Sequence, residues 1–165
     1  MNFDEAFELL IGHEGGFSND ARDSGNWTSG QVGVGKLKGT KYGISAASYP
    51  RLDIANLTLR EAKIIYQQDF WIEGLPPSIA FDFFDTAVNS GKKRAILLLQ
   101  KSLGVTEDGK FGPNTAAALA QATPMLSSIF NAHRLLFMAD ARSWDTHGKG
   151  WTRRVANNLL LGAKQ

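Results

Sequence analysis

Apolar residues recur at helical spacing along most of this chain, interrupted by one long polar stretch near its start. Phe3, Phe7, Leu10 and Ile11 fall on one helical face, and Asn2 followed by Glu5 has the spacing of a capping box. The pattern predicts that this first helix stops near Glu14, because Gly15-Gly16 follows and glycine favours left-handed or irregular backbone. Residues 17–42 lose the period. They are rich in Gly, Ser, Asn, Asp and Thr, with β-prone fragments such as Gln31-Val32-Gly33-Val34, and read as a loop carrying small strands. A loop this long inside a compact domain is usually functional.

Helical signals then dominate. Thr58 and Glu61 form a second capping box, opening a helix through Ile65, Tyr66 and Phe70. Pro76-Pro77 breaks the chain, Ile79 to Asn89 carries an apolar face that ends at Gly91, and Lys92 to Leu103 forms the next helix, stopped by Gly104. Asp108-Gly109 marks a turn, Pro113 suits the first turn of a short helix over Thr115–Gln121, a long helix is expected from Pro124 to about Trp144, and Trp151–Leu161 closes the chain. The predicted fold is mainly α with one small β-containing region.

A length of 165 residues allows one compact domain, or two lobes sharing a core. No apolar run reaches the roughly 18 to 20 residues of a membrane span, and the N-terminus lacks the basic region and apolar stretch of a secretory signal. No stable membrane insertion is expected. The absence of cysteine excludes disulfides, thiolate chemistry and cysteine-ligated zinc, and the three histidines, His13, His133 and His147, have no helical ligand spacing. No metal or cofactor is expected. A net charge of +2 permits attraction to an anionic polymer without requiring nucleic acid, which is not expected as a partner. Two motif fragments carry nothing: Gly30 to Lys36 fits a phosphate-binding loop except that Leu37 replaces its Ser or Thr, and Ser90 to Lys93 fits Ser-x-x-Lys without the partner motifs of that acyl-enzyme class.

The chemistry centres on carboxylates. Glu14 falls at the C-terminal end of the first predicted helix, where the macrodipole disfavours a carboxylate and raises the pKa of a carboxyl that must hold its proton. Asp23 follows in the polar loop, then Thr40 within Gly39-Thr40-Lys41-Tyr42-Gly43-Ile44-Ser45. Glycoside hydrolysis needs an acid to protonate the leaving oxygen and a second group to handle the nucleophile. Physics alone permits this site without selecting it, since a loop Asp commonly bonds its own backbone.

The run His13-Glu14-Gly15-Gly16-Phe17-Ser18-Asn19-Asp20, then Asp23, then Thr40 to Ser45, resembles the signature of glycoside hydrolase family 108. Ala87-Val88-Asn89-Ser90-Gly91 and Gly150-Trp151-Thr152-Arg153-Arg154 follow in the family's order. The resemblance implies a lysozyme-like α+β fold, with a helical large lobe, a small β-containing active-site region and a cleft between lobes. It implies N-acetylmuramidase activity on the β-1,4 bond between N-acetylmuramic acid and N-acetylglucosamine of bacterial peptidoglycan, as in phage endolysins that lyse the host cell. Glu14 matches the family's catalytic acid, Asp23 its second carboxylate and Thr40 the threonine of the triad. Many members run more directly from the aspartate to the threonine; here Ser24 to Gly39 intervene. A threonine suits water positioning because its hydroxyl both donates and accepts. Inversion is expected, with the Glu14 and Asp23 carboxyls roughly 6.5 to 9.5 Å apart.

Tyr42, Asp85 and Asn89 are the candidate substrate contacts: the tyrosine by stacking, Asn89 by bonding a sugar amide or else capping its helix, and Asp85 from the same face one turn earlier. Asp108 to Thr115 resembles the Asp-Gly-x-x-Gly-x-x-Thr turn of peptidoglycan-binding segments, and reads equally as a tight turn before a proline-initiated helix. The expected organisation is one compact unit over 1–165, with a catalytic region at 1–91 and a helical, binding-like region at 92–165 packed on it. A monomer is expected, held in the host cytoplasm until released to the wall. The competing readings are a lytic transglycosylase, which uses one Glu and makes an anhydro product, and a non-catalytic wall-binding or secretion-helper module.

Overall fold

The computed structural model describes residues 1–11 and 16–163. Among these, seven α-helices and one two-stranded sheet occur in the order α1 (Phe3–Leu10), β1 (Thr40–Lys41), β2 (Ile44–Ser45), α2 (Leu59–Phe70), α3 (Pro77–Ser90), α4 (Lys92–Leu103), α5 (Pro113–Ala120), α6 (Leu126–Ala139) and α7 (Trp144–Gly162). The chain is mainly helical with one small sheet, as its hydrophobic periodicity predicts.

Two compact units divide it, Phe3–Asp69 and Met1–Asn2 with Phe70–Gln165. In the first, α1 buries Phe3 and Phe7, and the Phe7 ring meets Tyr66 of α2 edge-on at 5.6 Å. Lys63 of α2 pairs with Asp4 at 3.0 Å, closing the outer side of that contact. The second capping box forms as expected: Thr58 Oγ1 accepts from the Glu61 N–H at 3.2 Å, and the Glu61 carboxylate accepts from the Thr58 N–H at 2.8 Å.

The second unit is built on α3, α4, α6 and α7, with a core that includes Phe83, Phe84, Leu99, Phe130, Met138 and Val155. Gly91 and Gly104 end α3 and α4 with φ of 88° and 68°, as their positions predict. Two expectations fail here. The long helix from Pro124 stops at Ala139, and the last helix starts at Trp144, well before Trp151. Gly148 and Gly150 both lie inside α7, although glycine disfavours a helix interior. The Trp144 indole lies flat against Gly148, so close that a Cβ there would stand 2.8 Å from two ring carbons, and Thr152 Oγ1 donates to the Gly148 carbonyl at 2.8 Å. Burial of an aromatic face, together with the Trp144–Trp151 ring contact at 6.3 Å, overrides a glycine propensity cost of about 1 kcal/mol.

The run Asp108 to Thr115 is explained by the turn it makes. Asp108 Oδ1 accepts from the buried Gln100 side chain at 2.7 Å and from the Lys110 N–H at 2.8 Å, while Gln100 also donates to Thr115 Oγ1 at 3.1 Å and accepts from the Gly109 N–H at 2.9 Å. Gly109 has φ of 71° and Pro113 begins α5. The motif's aspartate, first glycine and threonine are thus fastened to one buried glutamine.

Candidate active site

The expected triad begins with Glu14, which lies outside the described residues, as does any distance measured to it. The other two members both belong to the unit Phe3–Asp69. Asp23 is exposed and caps a 3-10 turn over Ser24–Asn26, its Oδ1 accepting the Gly25 N–H at 2.8 Å. Thr40 opens β1, and its backbone exchanges hydrogen bonds with Ser18, Ser18 N–H to Thr40 O at 2.9 Å and the reverse at 2.8 Å.

The inserted stretch between them returns to its starting point. Lys38 N–H and Gly39 N–H both donate to the Asn26 carbonyl, at 2.9 and 3.1 Å, and Thr28 N–H donates to Lys36 O at 2.9 Å. Trp27 and Leu37 face each other across an isolated antiparallel bridge. This closed neck ties Thr40 to Asn26, the last residue of the turn that Asp23 caps, so a long insertion leaves Thr40 linked to that turn. The β-prone fragment within it does not form a strand. Gly30, Gly33 and Gly35 take φ of 73°, 79° and 80°, which turns the backbone repeatedly, and the strands form instead at Thr40–Lys41 and Ile44–Ser45.

Asn26 holds the arrangement together. It is fully buried, its backbone N–H donates to Asp23 O at 3.2 Å, and its side-chain Nδ2 donates to Asp20 O at 3.0 Å. Its Oδ1 accepts the Thr40 hydroxyl at 2.7 Å. Sequence reasoning passed over this residue, because an Asn in a Gly/Ser-rich loop reads as a turn former. Only the closed neck reveals what it touches.

Asp20 is also on this loop, but Arg22 occupies it: the guanidinium reaches both carboxylate oxygens and the Arg22 backbone N–H adds a further bond. These bonds hold the Asp20 carboxyl below the usual carboxylate range. Among the described residues Asp23 has no such cation on it.

Tyr42 and Gly43 form the two-residue turn between β1 and β2, with φ of 51° and 74°, the paired positive values of a type I′ hairpin. A bulky residue at positive φ stores backbone strain, of the kind that persists only where neighbours enforce it. Here Tyr66 Oη donates to Tyr42 O at 3.0 Å and the Lys41 ammonium sits 5.5 Å from the Tyr42 ring centre. The half-buried residue is thereby anchored at the tip of the hairpin that Thr40 opens.

The remaining candidates belong to the other unit. Asn89 is exposed in the last turn of α3 and accepts from the Ser90 hydroxyl at 3.1 Å. Asp85 does not present itself to a substrate: it is 1% exposed, and its oxygens are taken by Arg134 at 2.7 Å, Arg154 Nε at 2.7 Å and Asn158 at 2.8 Å. Burial pushes this carboxyl up, but the charges and bonds of Arg134 and Arg154 outweigh it and hold the pKa below the ordinary value. One turn earlier, burial raises the Asp82 carboxyl despite a 2.6 Å bond from Ser127 Oγ. Spacing on one helical face grouped Asp85 with Asn89, but position within the bundle separates them. Among the described residues no cluster of His, Cys, Asp or Glu could hold a metal ion, and no helix is long and apolar enough to cross a membrane.

A mainly helical fold with one small two-stranded sheet following the first helix defines a lysozyme-like α+β protein. The glycosyl hydrolase 108 family model matches residues 7–91, and the chain belongs to that family. Among solved structures, that of Brucella abortus SagA is similar at 27% sequence identity with a TM-score of 0.79, over 98% of this chain and 94% of SagA. No curated protein sequence matches the chain.

Proposed function

We propose that this chain hydrolyses the β-1,4 bond between N-acetylmuramic acid and N-acetylglucosamine in bacterial peptidoglycan, with inversion at the anomeric carbon, and so lyses the host cell. The observation that carries this reading is the bridge through Asn26, which bonds both the Asp23 carbonyl and the Thr40 hydroxyl within the stretch that matches the family. Glu14 gives its proton to the glycosidic oxygen as that oxygen leaves the anomeric carbon. The oxygen of a water held by Asp23 and Thr40 bonds to the same carbon, and one of the water's protons passes to the Asp23 carboxylate. Tyr42 and Asn89 are the proposed substrate contacts, and the protein acts as a monomer, in the host cytoplasm until it is released to the wall.

One experiment tests this. Purified protein is incubated with peptidoglycan and the products are weighed and followed by proton NMR. Hydrolysis leaves a reducing end, first seen as the α-anomer; an anhydro product, lighter by one water, would show a lytic transglycosylase instead. Glu14→Gln keeps size and hydrogen bonding but removes the transferable proton, so turnover should fall about 10² to 10⁴-fold with an unchanged circular dichroism spectrum. A folded Glu14→Gln protein with normal turnover would remove Glu14 from the acid's role.

A further inference from the structure

A hydroxyl has one proton to give, and in Thr40 it is already committed. The side-chain amide of Asn26 has a fixed orientation, because its Nδ2 faces the Asp20 carbonyl at 3.0 Å and a carbonyl can only accept. The atom turned toward Thr40 is therefore Oδ1, which also can only accept, so the 2.7 Å bond between them must carry the Thr40 proton. Asn26 is fully buried and its backbone carbonyl is tied to Lys38 and Gly39, so neither end of this relay is free to turn. The expectation that Thr40 both donates to and accepts from a water is corrected accordingly.

We propose that Asn26 is a positioning residue that makes the Thr40 hydroxyl an acceptor only, and thereby orients the attacking water. This rests on the muramidase reading above. A water carries two hydrogens and two lone pairs. When Asp23 and Thr40 both present acceptors, each takes one hydrogen, and a lone pair of the water is left facing the anomeric carbon. Were the Thr40 proton free to rotate, some arrangements would have the hydroxyl donating into that lone pair and the water turned away from the carbon. Asn26 removes those arrangements before substrate arrives, a case of preorganisation. No atom of Asn26 meets the substrate in this scheme; it acts through Thr40.

The test is a double-mutant cycle on a soluble peptidoglycan fragment, with kcat and KM measured separately and thermal unfolding recorded for each variant. Asn26→Ala and Thr40→Val should each lower kcat by roughly tenfold to a hundredfold with KM little changed, and Thr40→Ser should retain most of the wild-type rate. In the Thr40→Val background, Asn26→Ala should have no further effect on kcat, because the group it orients is gone. An equal loss from Asn26→Ala in both backgrounds, or no loss in either, overturns the proposal and leaves Asn26 as a support of the loop. Asn26→Asp guards against a merely unfolded alanine variant. It keeps an acceptor toward Thr40 but loses the donor to Asp20, so it should turn over faster than Asn26→Ala; equal impairment would mean that the Asp20 tie, and not the Thr40 proton, is what matters. An inactive wild type would instead sink the proposed reaction itself, a result the cycle cannot be confused with.

Discussion

Asp20 and Asp23 lie on one exposed loop, but the first is engaged by Arg22 while the second, among the described residues, accepts only the Gly25 N–H on Oδ1 and bears no cation. Asp23→Asn should therefore lower kcat by about 10² or more, as expected for loss of a general base, while Asp20→Asn should leave kcat near that of the wild type. Steady-state kinetics on the two folded variants checks this, and the reverse ranking would move the second carboxylate to Asp20. At this scale the sequence was informative wherever a residue's role is local. The Thr58–Glu61 box and the glycines at 91 and 104 could be read directly, since caps depend on neighbours a few residues away. Asn26 could not, because its partners Asp20 and Thr40 lie on opposite sides of it in the chain and meet only when the neck closes.

Between α3, α6 and α7 a buried ion pair does what an apolar contact would otherwise do. Asp85 of α3 holds Arg134 of α6 and Arg154 of α7. Removing one partner of such a pair leaves an uncompensated buried charge, so Asp85→Ala should cost about 3 to 5 kcal/mol, seen as a lowered Tm at pH 7. The pH dependence follows from the direction of the shift. A carboxyl held below its ordinary value contributes stability above roughly pH 4, the unfolded value, and that contribution is lost as pH falls through the folded pKa. Asp82 has the opposite sign: burial raises it, so its contribution is present below its ordinary value and lost as pH rises through the raised pKa. Asp85→Asn should destabilise at pH 7 and flatten the loss of Tm in acid, whereas Asp82→Asn should not destabilise at pH 7. Periodicity placed most of these helices correctly but misjudged the α6–α7 boundary; glycine at 148 and 150 weakens the helical signal there, and the Trp144 ring packed on Gly148 is not visible in the sequence. The role of Asp85 was equally hidden, since its partners lie 49 and 69 residues away (134 − 85 and 154 − 85).

At the scale of the whole molecule, the unit containing residues 70–165 has no separable C-terminal half: α3 and α4 bury Phe83, Phe84 and Leu99 in a core completed by Phe130, Met138 and Val155 from α6 and α7. Truncation after Leu103 should accordingly give insoluble protein, checked by the soluble fraction on expression; a soluble, active fragment would mean that the C-terminal helices are dispensable. The neck closed by Asn26, Lys38 and Gly39 has the contrary meaning for the residues beyond it. Because the ends of that excursion are pinned together, its length is decoupled from the geometry at Asp23 and Thr40, and doubling it should cost only about 0.6 kcal/mol of closure entropy. The tip, where Val32 and Val34 are half or more exposed, is thus a graft point: a short Gly/Ser peptide spliced between Gly33 and Val34 should leave turnover unchanged. A loop anchored this way can lengthen, shorten or acquire a new recognition sequence over evolutionary time while the geometry at its base is kept.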